Sequence, residues 1–181
     1  PIVQRHVNAL LLGRFLAGGA DGALPDDVLR LQSGWFFEAP GAGASSPALR
    51  FLTWLAEDSD DASTADGLRA VTARSALADL GPRALRGRCA DDLREAAAGW
   101  THELDALREA LTLAGGEPAG ADPTPAQLAL WRQMRRAREE YLLSELASRC
   151  FLPGHGFPTQ VVPFVNTTLE ELRREHKRRE E

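Results

Sequence analysis

Apolar side chains recur every three or four residues along most of this chain, and glycine or proline pairs break the recurrence into segments of helix length. The cleanest stripe is Leu93, Ala97, Trp100, Leu104, Leu107 and Leu111, closed by Gly115-Gly116. A spacing of that kind places one apolar face on a helix, which must then be buried against other helices. The predicted fold class is therefore all-α, a compact bundle of five or six helices. No repeat of 20–50 residues is present to suggest a solenoid.

The predicted helices cover 2–17, stopped by Gly18-Gly19; 47–57, with Pro47 in the first turn; 64–80, stopped by Gly81-Pro82; 91–114; and 124–150. The segment 81–90, crowded with Arg83, Arg86 and Arg88, reads as a linker. Thr124-Pro125-Ala126-Gln127 has the form of a capping box, with Thr as N-cap, Pro at the first helical position and Gln reaching back. Residues 20–47 read as a short helix near Val28 to Leu31 and a packed loop carrying Trp35-Phe36-Phe37. Beyond Cys150 the character changes. Residues 151–167 form an apolar Pro/Gly connector, with a short strand at 160–165 that Pro163 confines to an edge. Residues 168–181 form a charged C-terminal helix with its own capping box at Thr168 to Glu171.

Charge and cysteine usage narrow the function classes. The formal net charge of −5 argues against a protein that coats nucleic acid, although a local basic face is compatible with it. Cys89 and Cys150 are the two cysteines, without CxxC or Cys/His ligand spacing, so they read as reduced cytosolic thiols. No apolar run of 18 residues exists to span a bilayer and no signal peptide is visible, which makes the expectation a cytoplasmic protein without membrane contact. The first residue is Pro1 and the single methionine is Met134, so the chain reads as a piece of something longer or a processed product.

Motifs for catalysis are missing. A phosphate-cradling loop needs glycines followed by Lys and Ser/Thr, yet the single lysine, Lys177, lies in the charged C-terminal helix. His6, His102, His155 and His176 have no metal-ligand spacing, and no GxSxG is present. The acidic run Glu57, Asp58, Asp60, Asp61 lacks the glycine and terminal glutamate of a calcium loop and reads as a solvated surface. The segment is therefore read as non-enzymatic, with no cofactor of its own. Two features point to binding. Arg132, Arg135, Arg136 and Arg138 have the chemistry to pair with phosphates; Trp131 and Tyr141 nearby have rings able to stack on bases but read as core residues of the helix rather than as stacking platforms; and His155 between two glycines can approach a phosphate. Phe151, Leu152 and Phe157 in the connector offer apolar surface to a protein partner.

The string Glu140-Tyr141-Leu142-Leu143-Ser144-Glu145-Leu146-Ala147, followed by Phe151-Leu152-Pro153-Gly154-His155-Gly156-Phe157-Pro158-Thr159 and Val161-Val162, resembles a stretch of large bacterial DEAD/DEAH-box helicases. The start, Gln4 to Leu12, is similar to the chain just beyond their last motor motif. In that family the segment follows two RecA-like motor domains and precedes a cysteine-rich C-terminal domain. The resemblance implies a parent that is an ATP-dependent DNA helicase of DNA repair or antiviral (anti-phage) defence, using ATP and Mg. It implies that residues 1–150 are a helical accessory domain contacting DNA, the motor domains and the C-terminal domain of the same chain. No catalytic residue carries over, because the motor motifs lie outside this sequence. The alternative from the residues themselves is a helical protein–protein scaffold without nucleic-acid contact, presenting Trp35-Phe36-Phe37 and Phe151 to Pro158.

Overall fold

The computed structural model describes residues 2–19, 31–57, 62–118 and 122–154. Within them lie seven α-helices and one π-helical turn: α1 (Ile2–Arg14), the turn Phe15–Gly19, α2 (Ser33–Phe37), α3 (Pro47–Ala56), α4 (Ala62–Thr72), α5 (Pro82–Leu113), α6 (Pro125–Glu139) and α7 (Leu142–Ser148). The protein is mostly helical, and among the described residues there is no strand or sheet, in keeping with an all-α bundle. The short strand expected at 160–165 and the C-terminal helix lie outside the described residues.

The long axis of the molecule is α5. At about 1.5 Å per residue its 32 residues span roughly 48 Å, enough to serve two separate cores. It starts at the dipeptide read as a stop signal: Gly81 is the N-cap and Pro82 the first helical residue, so the predicted linker 81–90 is helix. Its far end is closed by Gly115 and Gly116 at positive φ, with the Gly116 N–H donating to the Leu111 carbonyl at 2.8 Å.

The first half of α5 supports the main core. Here α1 is central rather than amphipathic, with every residue from Val7 to Gly13 buried, and it packs on α4 and α5. Phe15, in the π-helical turn, stacks on Phe51 of α3 with ring centroids 4.9 Å apart, and Trp54 closes the cluster at 5.9 Å from Phe51. The second half of α5 pairs with α6 around a smaller cluster of Trp100, Leu104, Leu111 and Met134. Phe37, from α2, bridges the two by stacking on Trp100 at 5.1 Å.

Two predicted helices are shorter than expected, for different reasons. α4 stops at Thr72, where hydroxyls capture the backbone: Thr72 Oγ1 donates to the Leu68 carbonyl, and Ser75 Oγ donates to the Thr72 carbonyl while accepting from the Leu77 N–H. Arg74 then takes φ +65, which a helix cannot continue. The predicted helix 124–150 breaks at Glu140-Tyr141 into α6 and α7. The break is held by residues 31–33, as Ser33 N–H donates to the Glu140 carbonyl at 3.0 Å and Leu142 N–H to the Leu31 carbonyl at 2.8 Å. Gln32 and Tyr141 form an isolated antiparallel bridge there. The capping box at Thr124 and Gln127 is present as expected.

Candidate nucleic-acid interface

Four arginines were expected to form one basic face, and α6 divides them. Arg138 points toward the body, where its Nη2 and Nε lie 2.8 and 3.2 Å from Glu38 Oε1. Arg108 of α5 reaches the same oxygen at 2.9 Å. Glu38 is the C-cap residue of α2, so this pair of guanidiniums on one carboxylate ties α2, α5 and α6 together. Arg138 is therefore tied to the body by an ion pair, although its side chain stays 39% exposed.

Arg132, Arg135 and Arg136 are exposed and line an open depression of about 440 Å³ together with Glu139, Glu140 and Tyr141. Arg135 is engaged there, with Nη2 2.6 Å from Glu139 Oε1 and its guanidinium 4.9 Å above the Trp131 ring. Arg132 and Arg136 have no ion pair among the described residues. They are the side chains best placed to receive a phosphate, since a guanidinium gives two parallel N–H donors to its oxygens. Trp131 is half-buried in the smaller core beneath Arg135, whereas Tyr141 stands 39% exposed at the depression.

The partner-binding expectation is corrected for two of its three residues. Phe151 is 1% and Leu152 5% exposed, both in the main core of the chain itself, so neither offers a surface to another protein. They are pulled inward by the end of α7, where the Phe151 and Leu152 N–H groups both donate to the Leu146 carbonyl. Cys150 adopts φ +63 to allow that turn. The Phe151 carbonyl then accepts from Asn8 Nδ2 at 3.0 Å. Trp35, Phe36 and Phe37 are likewise packed against the chain's own core. Phe157 and His155 lie outside the described residues.

Several polar residues that matter to the fold were not singled out in the sequence. Asn8, fully buried on α1, accepts from Gln4 Nε2 and donates to Asp92 Oδ2 at 2.8 Å as well as to Phe151, which joins α1, α5 and the end of α7. Its signal was faint: a polar residue in the middle of an apolar run. Arg86, expected in a linker, is buried on α5 with Nη1 2.8 Å from the Trp54 carbonyl and its guanidinium 4.3 Å from the Trp54 ring. Arg86 also lines a groove of about 600 Å³ between α3 and α5, where Arg94 is paired with Asp91.

Burial shifts two titratable side chains of the described residues. Burial pushes the Cys89 thiol well up, with the Asp92 charge adding and Arg86 opposing, so the thiolate is disfavoured. Burial holds His6 below its usual value. Among the described residues no group of three or more His, Cys, Asp or Glu side chains is placed to hold a metal ion, and no helix is long and apolar enough to cross a membrane.

Comparison with protein-family models, with curated proteins and with solved structures finds no match to this chain. The interface must therefore be argued from its own residues.

Proposed function

We propose that the chain is a non-catalytic helical accessory region of an ATP-dependent DNA helicase or translocase, in which the exposed arginines of α6 contact the phosphate backbone while the motor works elsewhere. The observation that carries the reading is the pair Arg132 and Arg136, exposed one turn apart without an ion pair and flanked by Arg135. The resemblance of residues 140–162 to the post-motor segment of DEAD/DEAH-box helicases supplies the parent. A cytoplasmic role in DNA repair or anti-phage defence, the motor and C-terminal domains as neighbours in the same protein, and ATP with Mg bound by the motor all follow from that resemblance.

The test is fluorescence anisotropy of the full chain with labelled single-stranded and duplex DNA. Two phosphate contacts make affinity fall about 7-fold on single strands and about 12-fold on duplex between ~50 and ~200 mM salt. The double variant Arg132→Ala/Arg136→Ala should weaken binding on all sequences alike and flatten the salt dependence. No binding at low salt overturns this reading and leaves the protein scaffold, whose described apolar candidates Trp35, Phe36, Phe37, Phe151 and Leu152 are packed within the chain.

A further inference from the structure

The depression on α6 holds three guanidiniums against two carboxylates, a net of one positive charge. Arg135 has its fork occupied by Glu139 at 2.6 Å, and Arg138 and Arg108 are spent on Glu38. Duplex DNA is held by a track of many phosphate contacts, each contributing to counterion release. A site with two open guanidiniums and one that must first leave a carboxylate cannot supply such a track. Binding here needs a second source of affinity.

That source is on the same wall. Tyr141 is the exposed aromatic side chain among the large apolar residues of the described chain, the others being the aliphatic Ile2, Leu49 and Leu113. It is also the single tyrosine of the sequence. Its backbone is fixed on both sides, by the Ser33 N–H on the Glu140 carbonyl and the Leu142 N–H on the Leu31 carbonyl, so the main chain that carries the ring has little left to order on binding. An aromatic ring beside guanidiniums is the combination that stacks an unpaired base while its flanking phosphates are neutralised. Paired bases in a duplex offer no free face to such a ring. Trp131 cannot take this part, because Arg135 covers its ring and the smaller core holds it.

Resting on the arginine-face reading above, we infer that the depression selects single-stranded nucleic acid, with one base stacked on Tyr141 and the neighbouring phosphates on Arg132 and Arg136. The test compares four labelled probes of equal length on the full chain: oligo-dT, oligo-rU, an abasic deoxyribose-phosphate strand and a DNA duplex. Tyr141→Ala should weaken dT binding about 5- to 150-fold, the range of one lost base stack. Tyr141→Phe should retain it, and neither change should alter the abasic strand or the duplex. The ratio of dT to rU affinity assigns the site to DNA or to RNA.

A second measurement needs no substitution. The ring protons of the single tyrosine should shift upfield in the NMR spectrum when dT is added, and stay in place with the abasic strand. Equal loss by Tyr141→Ala on all four probes, or unmoved ring protons, overturns the inference. If Arg132→Ala/Arg136→Ala weakens binding while the Tyr141 results are negative, the phosphate face stands and the stacking site falls. If the arginine substitutions also do nothing, both fall.

Discussion

The two halves of α5 carry very different loads. Its first half leans on 22 buried residues contributed by α1, the π-helical turn, α2, α3, α4, α7 and α5 itself together with Leu31, Phe151 and Leu152 outside the helices, whereas its second half shares a cluster of four with α6. The arginine face rides on the lightly packed half. Binding surfaces that must adjust to a ligand are drawn from regions of low local stability, and the proposed phosphate-binding face lies on such a region. The arm is held to the body by Phe37 on Trp100, by the Arg108/Arg138 pair on Glu38 and by the Ser33 bonds to the Glu140 carbonyl.

The division can be broken most severely from the large side. Phe51→Ala removes a fully buried ring stacked on Phe15 and should cost about 3–5 kcal/mol, enough to threaten the whole fold. Met134→Ala in the small cluster should cost about 2–3 kcal/mol, near the low end for such truncations, because the thin arm can collapse around the gap. Hydrogen exchange separates the two. Phe51→Ala should deprotect α1, α3 and α5 together, while Met134→Ala should deprotect α6 and the end of α5 and leave α1 protected. Loss of protection in α1 in both variants would mean that the two clusters unfold as one.

The seam between the halves is the next place to press. A Cβ on Gly34 would stand 3.1 Å from the Arg138 carbonyl oxygen and 3.2 Å from the Arg138 Cβ, a tight contact, and the nearest atom is backbone, so α6 itself must give by a few tenths of an ångström. Gly34→Ala should therefore push α6 slightly away from α2 and cost about 1–3 kcal/mol, the usual penalty of overpacking. In a chain of this length that lowers Tm by about 2–4 °C per kcal/mol. An unchanged Tm would show that α6 docks more loosely than the Glu38 clamp implies.

How much of this division was legible in the sequence depends on which interaction made it. The stripe from Leu93 to Leu111 and the Thr124 capping box are local patterns, and both are in the structure. The 32-residue length of α5 was hidden because Gly81-Pro82 is equally good at stopping one helix and starting the next. The break at Glu140-Tyr141 was invisible, since nothing in those two side chains forbids helix and the backbone there is opened by partners more than 100 residues earlier. The same long-range bridge set the fate of the site: it turned Tyr141 outward, whereas a continuous helix had suggested a core residue. Arginine spacing alone likewise could not separate Arg138, claimed by Glu38, from Arg132 and Arg136. Phe151 and Leu152 looked like exposed apolar connector because the buried carboxamide that anchors them, Asn8, is 143 residues away.

The smallest change in stability should bring an instructive change in binding. Glu139 is the last residue of α6, at the negative end of the helix macrodipole, and it lies C-terminal to its partner Arg135, the weaker orientation for an i,i+4 pair. Both groups are about half exposed, so the pair contributes little to the fold, and Glu139→Gln should change stability by less than about 0.5 kcal/mol. What the carboxylate does is occupy the fork that a phosphate needs. Glu139→Gln should then tighten single-stranded binding several-fold, and Glu140→Gln, which removes the same charge from the same depression without touching Arg135, should do less. In an Arg135→Ala background the advantage of Glu139→Gln over Glu140→Gln should vanish. Equal gains from both glutamates in every background would mean that simple charge governs the face and that Arg135 is no part of the contact, leaving Arg132 and Arg136 to hold the phosphates alone.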